Sequence, residues 1–169
     1  MKKVAIISDS HGYLDQKVIN HLKKCDEVWH AGDIGNIKIL NLLDGITNIK
    51  AVFGNIDGQK IRINCPENLL FYCEGIKIFM THIGGRPGKY TQRVKKLLNL
   101  HKPNIFITGH SHILVVKKDV EYNHLHINPG AIGKEGFHKF RTMIITEINN
   151  KKIQKLDVIQ FKKSNSISC

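Results

Sequence analysis

The sequence predicts an α/β fold in which two mixed β-sheets pack face to face with helices outside. Three observations carry this reading. The first third alternates short apolar runs with segments of helical period, β-α-β-α-β, the pattern of a parallel sheet with right-handed crossovers. Later segments carry hairpin signals instead, around Glu74-Gly75, Asp119 and Asn149-Asn150. A chain of 169 residues, 41% hydrophobic and 24% charged, has the size and composition of about one globular domain.

The elements follow in order. Lys3–Ser8 is an apolar run that closes on a polar loop, as a buried strand does. Asp15–Lys24 places Val18, Ile19 and Leu22 at helical spacing. Glu27–Ala31 is a short strand whose Trp29 belongs to the core. Ile37–Leu43 is a helix with Asn36 as N-cap and Gly45 as stop, and Ile49–Phe53 is the third strand. Leu69–Cys73 and Lys77–Thr81 form a hairpin. Tyr90–Leu100 is a helix with Val94, Leu97 and Leu98 on one face and Pro103 as the breaker beyond it. Asn104–Thr108 is a strand. Ile113–Lys117 pairs with Tyr122–Ile127, and Thr142–Ile148 with Lys152–Phe161. No linker or repeat intervenes, so residues 1–161 read as a single domain and 162–169 as a polar tail.

Composition narrows the function classes. No apolar run approaches the roughly 20 residues of a membrane helix, and the run after Met1 meets Asp9 too soon for a signal peptide, so a cytoplasmic protein without membrane association is expected. Cys25, Cys65, Cys73 and Cys169 form no C-x-x-C pair and read as reduced thiols. The formal net charge is +12. It is carried mainly by scattered lysines, whereas arginine occurs only at Arg62, Arg86, Arg93 and Arg141. Phosphate and guanine readers favour the arginine fork, so the surplus is read as compositional bias with mild attraction for anions, not as dedicated nucleic-acid binding.

The chemistry lies at the strand ends. Asp9-Ser10-His11-Gly12 follows the first strand, Gly32-Asp33 the second, and Gly54-Asn55-Ile56-Asp57 the third. Thr81-His82 follows the hairpin, and Gly109-His110-Ser111-His112 follows the strand after it. Ligands in open α/β sheets bind outside the carboxyl ends of strands. The short D-x-H and H-x-H spacings would direct both side chains to one face of an extended backbone. Seven candidate metal ligands result: Asp9, His11, Asp33, Asn55, His82, His110 and His112. This mixed nitrogen and oxygen set suits Mn, Fe, Ni, Co or Zn better than Ca or Mg. With one bridging carboxylate it serves two metals, which at about 3.5–4 Å separation form a clamp for in-line displacement at phosphorus. Each element alone is weak, since Gly-Asp and Gly-Asn also mark turns. Their succession at five strand ends is the signal.

These motifs resemble those of the calcineurin-like metallophosphoesterases, and most closely the small single-domain bacterial and archaeal phosphodiesterases, which share a turn like Asn128-Pro129-Gly130. The resemblance covers Lys3 to about Glu147 and implies a four-layer αββα sandwich. It implies that Asp9, His11, Asp33 and His112 hold one divalent transition metal, and that Asp33, Asn55, His82 and His110 hold a second. Asp33 would bridge them and a shared hydroxide would attack a phosphodiester. Manganese is the first choice, with Ni, Fe, Co or Zn as alternatives. Asn55 would also steady the phosphate, so Asn55 and Asp33 are the expected catalytic residues.

Two departures stand out. Many relatives carry His where Ile56 stands, facing the leaving group, and a second His soon after the one matching His82. Arg86 is read either as a contact to substrate phosphate or as a solvated loop cation. His30 reads either as a group that hydrogen-bonds a ligand or, the favoured reading, as a partly buried strand residue, and His21, His101, His124, His126 and His138 as surface or interface residues. The Gly130–Gly136 stretch reads as a turn beside the metals, and Gly84–Gly88 either as a mobile lid or as an ordinary loop. The expected partner is a small phosphoester, with self-association left open. A protein-interaction scaffold of the same fold, as in a eukaryotic retromer subunit with a degraded pocket, is the alternative, and a nuclease is a third reading. The full ligand set argues for chemistry, and the family's nucleases are longer.

Overall fold

A computed structural model describes residues 1–163. The elements are β1 (Lys2–Ile7), α1 (Gln16–Leu22), β2 (Glu27–His30), α2 (Ile37–Asp44), β3 (Asn48–Ala51), α3 (Gln59–Arg62), β4 (Asn68–Cys73) and β5 (Ile76–Thr81). They continue with β6 (Gly85–Arg86), β7 (Lys89–Tyr90), α4 (Gln92–His101), β8 (Ile105–Ile107), β9 (Leu114–Asp119), β10 (His124–Pro129), β11 (Phe140–Asn149) and β12 (Lys152–Lys162). Asp15, Asn36 and Thr91 cap α1, α2 and α4, each accepting a backbone N–H of the first turn through its side-chain oxygen. Thr91 therefore starts α4 two residues later than expected, and Tyr90 belongs to β7.

One sheet has the order β12-β11-β1-β2-β3, the other β4-β5-β8-β10-β9. The pairs β1–β2, β2–β3, β5–β8 and β8–β10 are parallel, whereas β1–β11, β11–β12, β4–β5 and β9–β10 are antiparallel. Both sheets are mixed, as predicted. The alternation along β1 explains the layering. Val4 and Ile6 point between the sheets, where they meet Trp29, Ile144, Ile78, Met80, Ile105 and Ile127. Ala5 and Ile7 point to the other face, onto Val18 and Leu22 of α1 and Leu40 and Leu43 of α2. The outer face of the second sheet buries Phe79 and Phe106 against Val94 and Leu98 of α4. Helices, sheet, sheet and helix give the four layers of an αββα sandwich.

Glu74 and Gly75 both take positive φ (48° and 78°), as the two-residue β4–β5 turn requires. Gly84–Gly88 contributes instead to the short β6–β7 hairpin, too short to leave a period in the sequence. Strand β12 runs to Lys162, one residue into the expected tail, and residues 164–169, with Cys169, lie outside the described residues. Cys25, Cys65 and Cys73 are buried free thiols. Burial pushes Cys65 up to about 11. No helix among the described residues is long and apolar enough to cross a membrane.

Candidate metal centre

Loops at the carboxyl ends of β1, β2, β3, β5 and β8 meet in one place. The first two run side by side: Asp9 N–H donates to Gly32 O (2.9 Å), His11 N–H to Asp33 O (3.0 Å) and Gly12 N–H to Ile34 O (2.7 Å). The Asp57 carboxylate joins the second loop to the third, accepting from the backbone N–H groups of Ile34, Gly35 and Gly54 at 3.1, 2.7 and 2.8 Å. The first loop meets the fifth where His110 N–H donates to Asp9 Oδ2 (3.2 Å). Gly32, at φ +93°, lies against the His82 ring with no room for a Cβ, so that imidazole can approach the second loop.

The D-x-H and H-x-H segments are not extended. Asp9, His11, Asp33, His110 and His112 all adopt left-handed backbone, with φ between 46° and 67°. The expectation of an extended stretch fails because each loop turns sharply off its strand to keep the inter-loop hydrogen bonds. Non-glycine residues in this region cost on the order of 1 kcal/mol or more each, and such strain collects where function needs a particular side-chain direction.

Two groups of side chains converge as a result. Asp9, His11 and His112 form one and Asp33, His82 and His110 the other; within each, the potential ligand atoms lie within 4.8 Å of one another. Asp33 lies between the groups, with Oδ1 3.2 Å from His82 Nε2 and Oδ2 3.8 Å from His11 Nε2. Asn55 Oδ1 is 3.2 Å from His82 Nε2, and His11 Nε2 is 3.4 Å from His112 Nε2. All seven residues singled out in the sequence are thus brought together. Arg86 stands apart, on the rim of a cavity that also reaches His110.

The electrostatics favour cations. Burial works against ionisation of Asp33, but the hydrogen bond and charge of His82 prevail and hold its carboxyl below the usual range. Burial also works against charging His82, and there the contacts with Asp33 and Asp9 win and raise it. The contact with Asp9 raises His112. These residues fit metal ions on two further counts. Asp9 Oδ1 is buried without a hydrogen bond, although two imidazole nitrogens stand 3.2 and 3.9 Å away, so its lone pairs are left for another positive partner. His82 donates Nδ1–H to Ala31 O (2.7 Å), which turns Nε2 toward the centre as the atom for a metal in place of a proton.

Several supporting residues carry no spacing signal of their own. His30 is fully buried rather than partly so: its Nδ1 accepts from Gly32 N–H (3.2 Å) and its Nε2–H donates to Ser10 Oγ (2.8 Å), tying the first loop to the second. Burial pulls His30 down to about 4, so it is neutral. Asn128 donates to Gly109 O and Ser111 Oγ, bracing the fifth loop. Gly133 N–H donates to Asp9 O, which makes the glycine-rich stretch a turn that pads the first loop. His138 rests edge-on to His112 with ring centroids 5.4 Å apart, and its Nε2–H donates to Gly133 O. His124 and His126 are not surface residues: both are buried under Tyr90, whose hydroxyl lies 3.0 and 3.3 Å from their ring nitrogens. Short β7 carries Tyr90 over them, and the Phe106 ring of β8 meets both edge-on.

Known proteins place this geometry. A probable metallophosphoesterase of Methanothermobacter thermautotrophicus is 25% identical over 133 residues, spanning 76% of this chain and 76% of that protein. The solved structure of a novel archaeal phosphodiesterase superposes with a TM-score of 0.76 at 22% identity, covering 94% of this chain and 99% of that one. Vps29 from Entamoeba histolytica, in a complex with Zn²⁺, superposes with a TM-score of 0.72 at 17% identity, covering 96% and 99%. At such identities the solved structures establish the fold alone. Residues 1–151 match the calcineurin-like phosphoesterase superfamily domain, which takes in every loop of the centre, and the chain therefore belongs to that superfamily.

Proposed function

We propose that the chain is a dimetal-dependent phosphodiesterase acting on a small phosphoester. The observation that carries the reading is Asp33, whose two oxygens face two separate ligand groups. Asp9, His11, Asp33 and His112 would hold one divalent ion, and Asp33, Asn55, His82 and His110 the other. When bound, such ions neutralise charge on phosphoryl oxygens and lower the pKa of water from 15.7 to about 7. The mixed nitrogen and oxygen donor set suits Mn, Fe, Ni, Co or Zn, and manganese is the first ion to test.

The chain's own groups supply position and charge. Ala31 O fixes the His82 ring through Nδ1–H, so Nε2 is the atom that would meet an ion once its own proton has left. Asn55 is exposed at the mouth, with Oδ1 toward His82, so its amide N–H₂ is available to a phosphoryl oxygen. In the net reaction the P–O bond to the leaving group breaks and the oxygen of water bonds to phosphorus. One proton of that water ends on the released alcohol, and the other on the monoester product or in solvent. Ile56, 48% exposed beside the centre, has no proton to give the departing oxygen. The reading therefore favours diesters and good leaving groups.

The test is a screen of the metal-free protein reloaded with Mn, Ni, Co, Zn or Mg, using bis(p-nitrophenyl) phosphate and p-nitrophenyl phosphate. Manganese-stimulated turnover, faster on the diester, is the expected result. Metal binding without turnover of any ester would overturn the reading and favour a non-catalytic scaffold.

A further inference from the structure

Of the cavities that adjoin the centre, two are lined by arginine, and in these two the cations are in opposite states. The smaller, about 200 Å³, lies beside His82 and Asn55. Its guanidinium groups are engaged. Arg62 donates to Asp57 O and Gly54 O and lies 4.3 Å from the Phe53 ring centroid. Arg93 donates to Asn68, Thr81 and Ile83 O and pairs with Glu67. The larger, about 370 Å³, opens beside His110 and is walled by Ile113 and Val115, with Arg86 and Lys89 on the β6–β7 hairpin. These two are register partners across the hairpin, both exposed. Among the described residues neither has a hydrogen-bond or ion-pair partner.

The remaining polar side chains of the larger cavity are committed. Asn128 donates to Gly109 O and Ser111 Oγ and accepts from Gly130 N–H. Ser111 Oγ also accepts from Ile113 N–H. His126 faces Tyr90 and Thr108 through its two nitrogens, and burial pulls it down to about 4, so it adds no charge. No carboxylate lines the space. What remains for a ligand is an apolar wall and two uncommitted cations next to a candidate metal ligand. The volume lies within the usual range for small-molecule sites. A solvent-facing cation pair of this kind is suited to an anion with several acceptor oxygens.

Resting on the phosphodiesterase reading, we propose that the larger cavity binds a second phosphate, carried on one ester arm of the substrate while the scissile phosphate sits at the metal centre. The substrate class is then a phosphodiester with an additional phosphomonoester group, of about nucleotide size.

The experiment compares thymidine 5′-(p-nitrophenyl phosphate) with its 3′-phosphorylated counterpart on the manganese-loaded protein, with bis(p-nitrophenyl) phosphate as reference. The expected kcat/KM is about tenfold higher for the 3′-phosphorylated ester, and the ratio should fall as ionic strength rises. In the Arg86→Gln/Lys89→Gln double variant the ratio should drop to near one; being a ratio, it is unaffected by a general loss of activity. Turnover of the reference with no preference in the wild type, or a preference that survives the double substitution, overturns the subsite alone. If no ester is turned over, the phosphodiesterase reading fails. The subsite is then read by calorimetry with thymidine 3′,5′-bisphosphate against thymidine 5′-monophosphate. Tighter binding of the bisphosphate that the double variant abolishes supports the subsite, and equal binding overturns it.

Discussion

His82 and His112 each stand 3.2 Å from a carboxylate oxygen, of Asp33 and of Asp9 respectively, yet their settings differ. His82 is buried, follows β5 on ordinary backbone, and is pinned through Nδ1 to a main-chain carbonyl. His112 is only partly buried, sits on left-handed backbone at φ 57°, and rests edge-on against the rings of His11 and His138. Among the described residues it has no main-chain partner for its ring. His82 is thus set by the fold before any ion arrives, whereas His112 is shaped by neighbouring rings and left more open. A pinned ligand gives up less rotational freedom on binding, so His82 should contribute more to metal affinity than His112.

Substituting one ligand from each group is the strongest way to break that contrast. His82→Ala should cost about 10³-fold in diester turnover, because it removes the pinned ligand that faces both Asp33 and Asp9. His112→Ala should cost about tenfold less. Steady-state kinetics with manganese titrations of both variants check this, and equal losses would erase the distinction. A smaller effect is expected behind the first two loops. His30→Ala removes the tie between Ser10 and Gly32 and should weaken metal affinity by about 10–100-fold, the usual scale for groups that orient ligands. Calorimetry with Mn²⁺ reads it, and a lowered melting temperature with unchanged affinity would make His30 merely structural. The smallest change concerns Ile56. A histidine there offers a proton and a positive charge to a leaving group, so Ile56→His should raise hydrolysis of alkyl phosphomonoesters by up to about 10²-fold relative to diesters. A leaving-group series on both proteins decides it, and a wild type that already prefers alkyl monoesters would contradict the role given to Ile56.

Much of this was legible because strands and turns leave local marks. The apolar runs of β1, β2 and β8 each end on a ligand-bearing motif, and Glu74-Gly75 announces its own turn. The conformation of the ligands was not legible. Left-handed backbone at Asp9 and His110 is enforced by hydrogen bonds from Asp9 N–H to Gly32 O and from His110 N–H to Asp9 Oδ2, between loops far apart in the chain. His124 and His126 read as surface residues because their cover, Tyr90, arrives on a two-residue strand with no period. The role of Asp57 was half visible, since it lies inside the third motif, but nothing local says that its carboxylate clamps two loops.

The central claim is that Asp33 is shared by two ions. It is tested most directly by counting metal per chain after equilibrium dialysis against Mn²⁺, for the wild type and for Asp33→Asn, by elemental analysis of the folded protein. The account predicts two ions per chain in the wild type and one or fewer in the variant, with the variant inactive on bis(p-nitrophenyl) phosphate. One ion or none in the wild type, or two retained by Asp33→Asn, would contradict it.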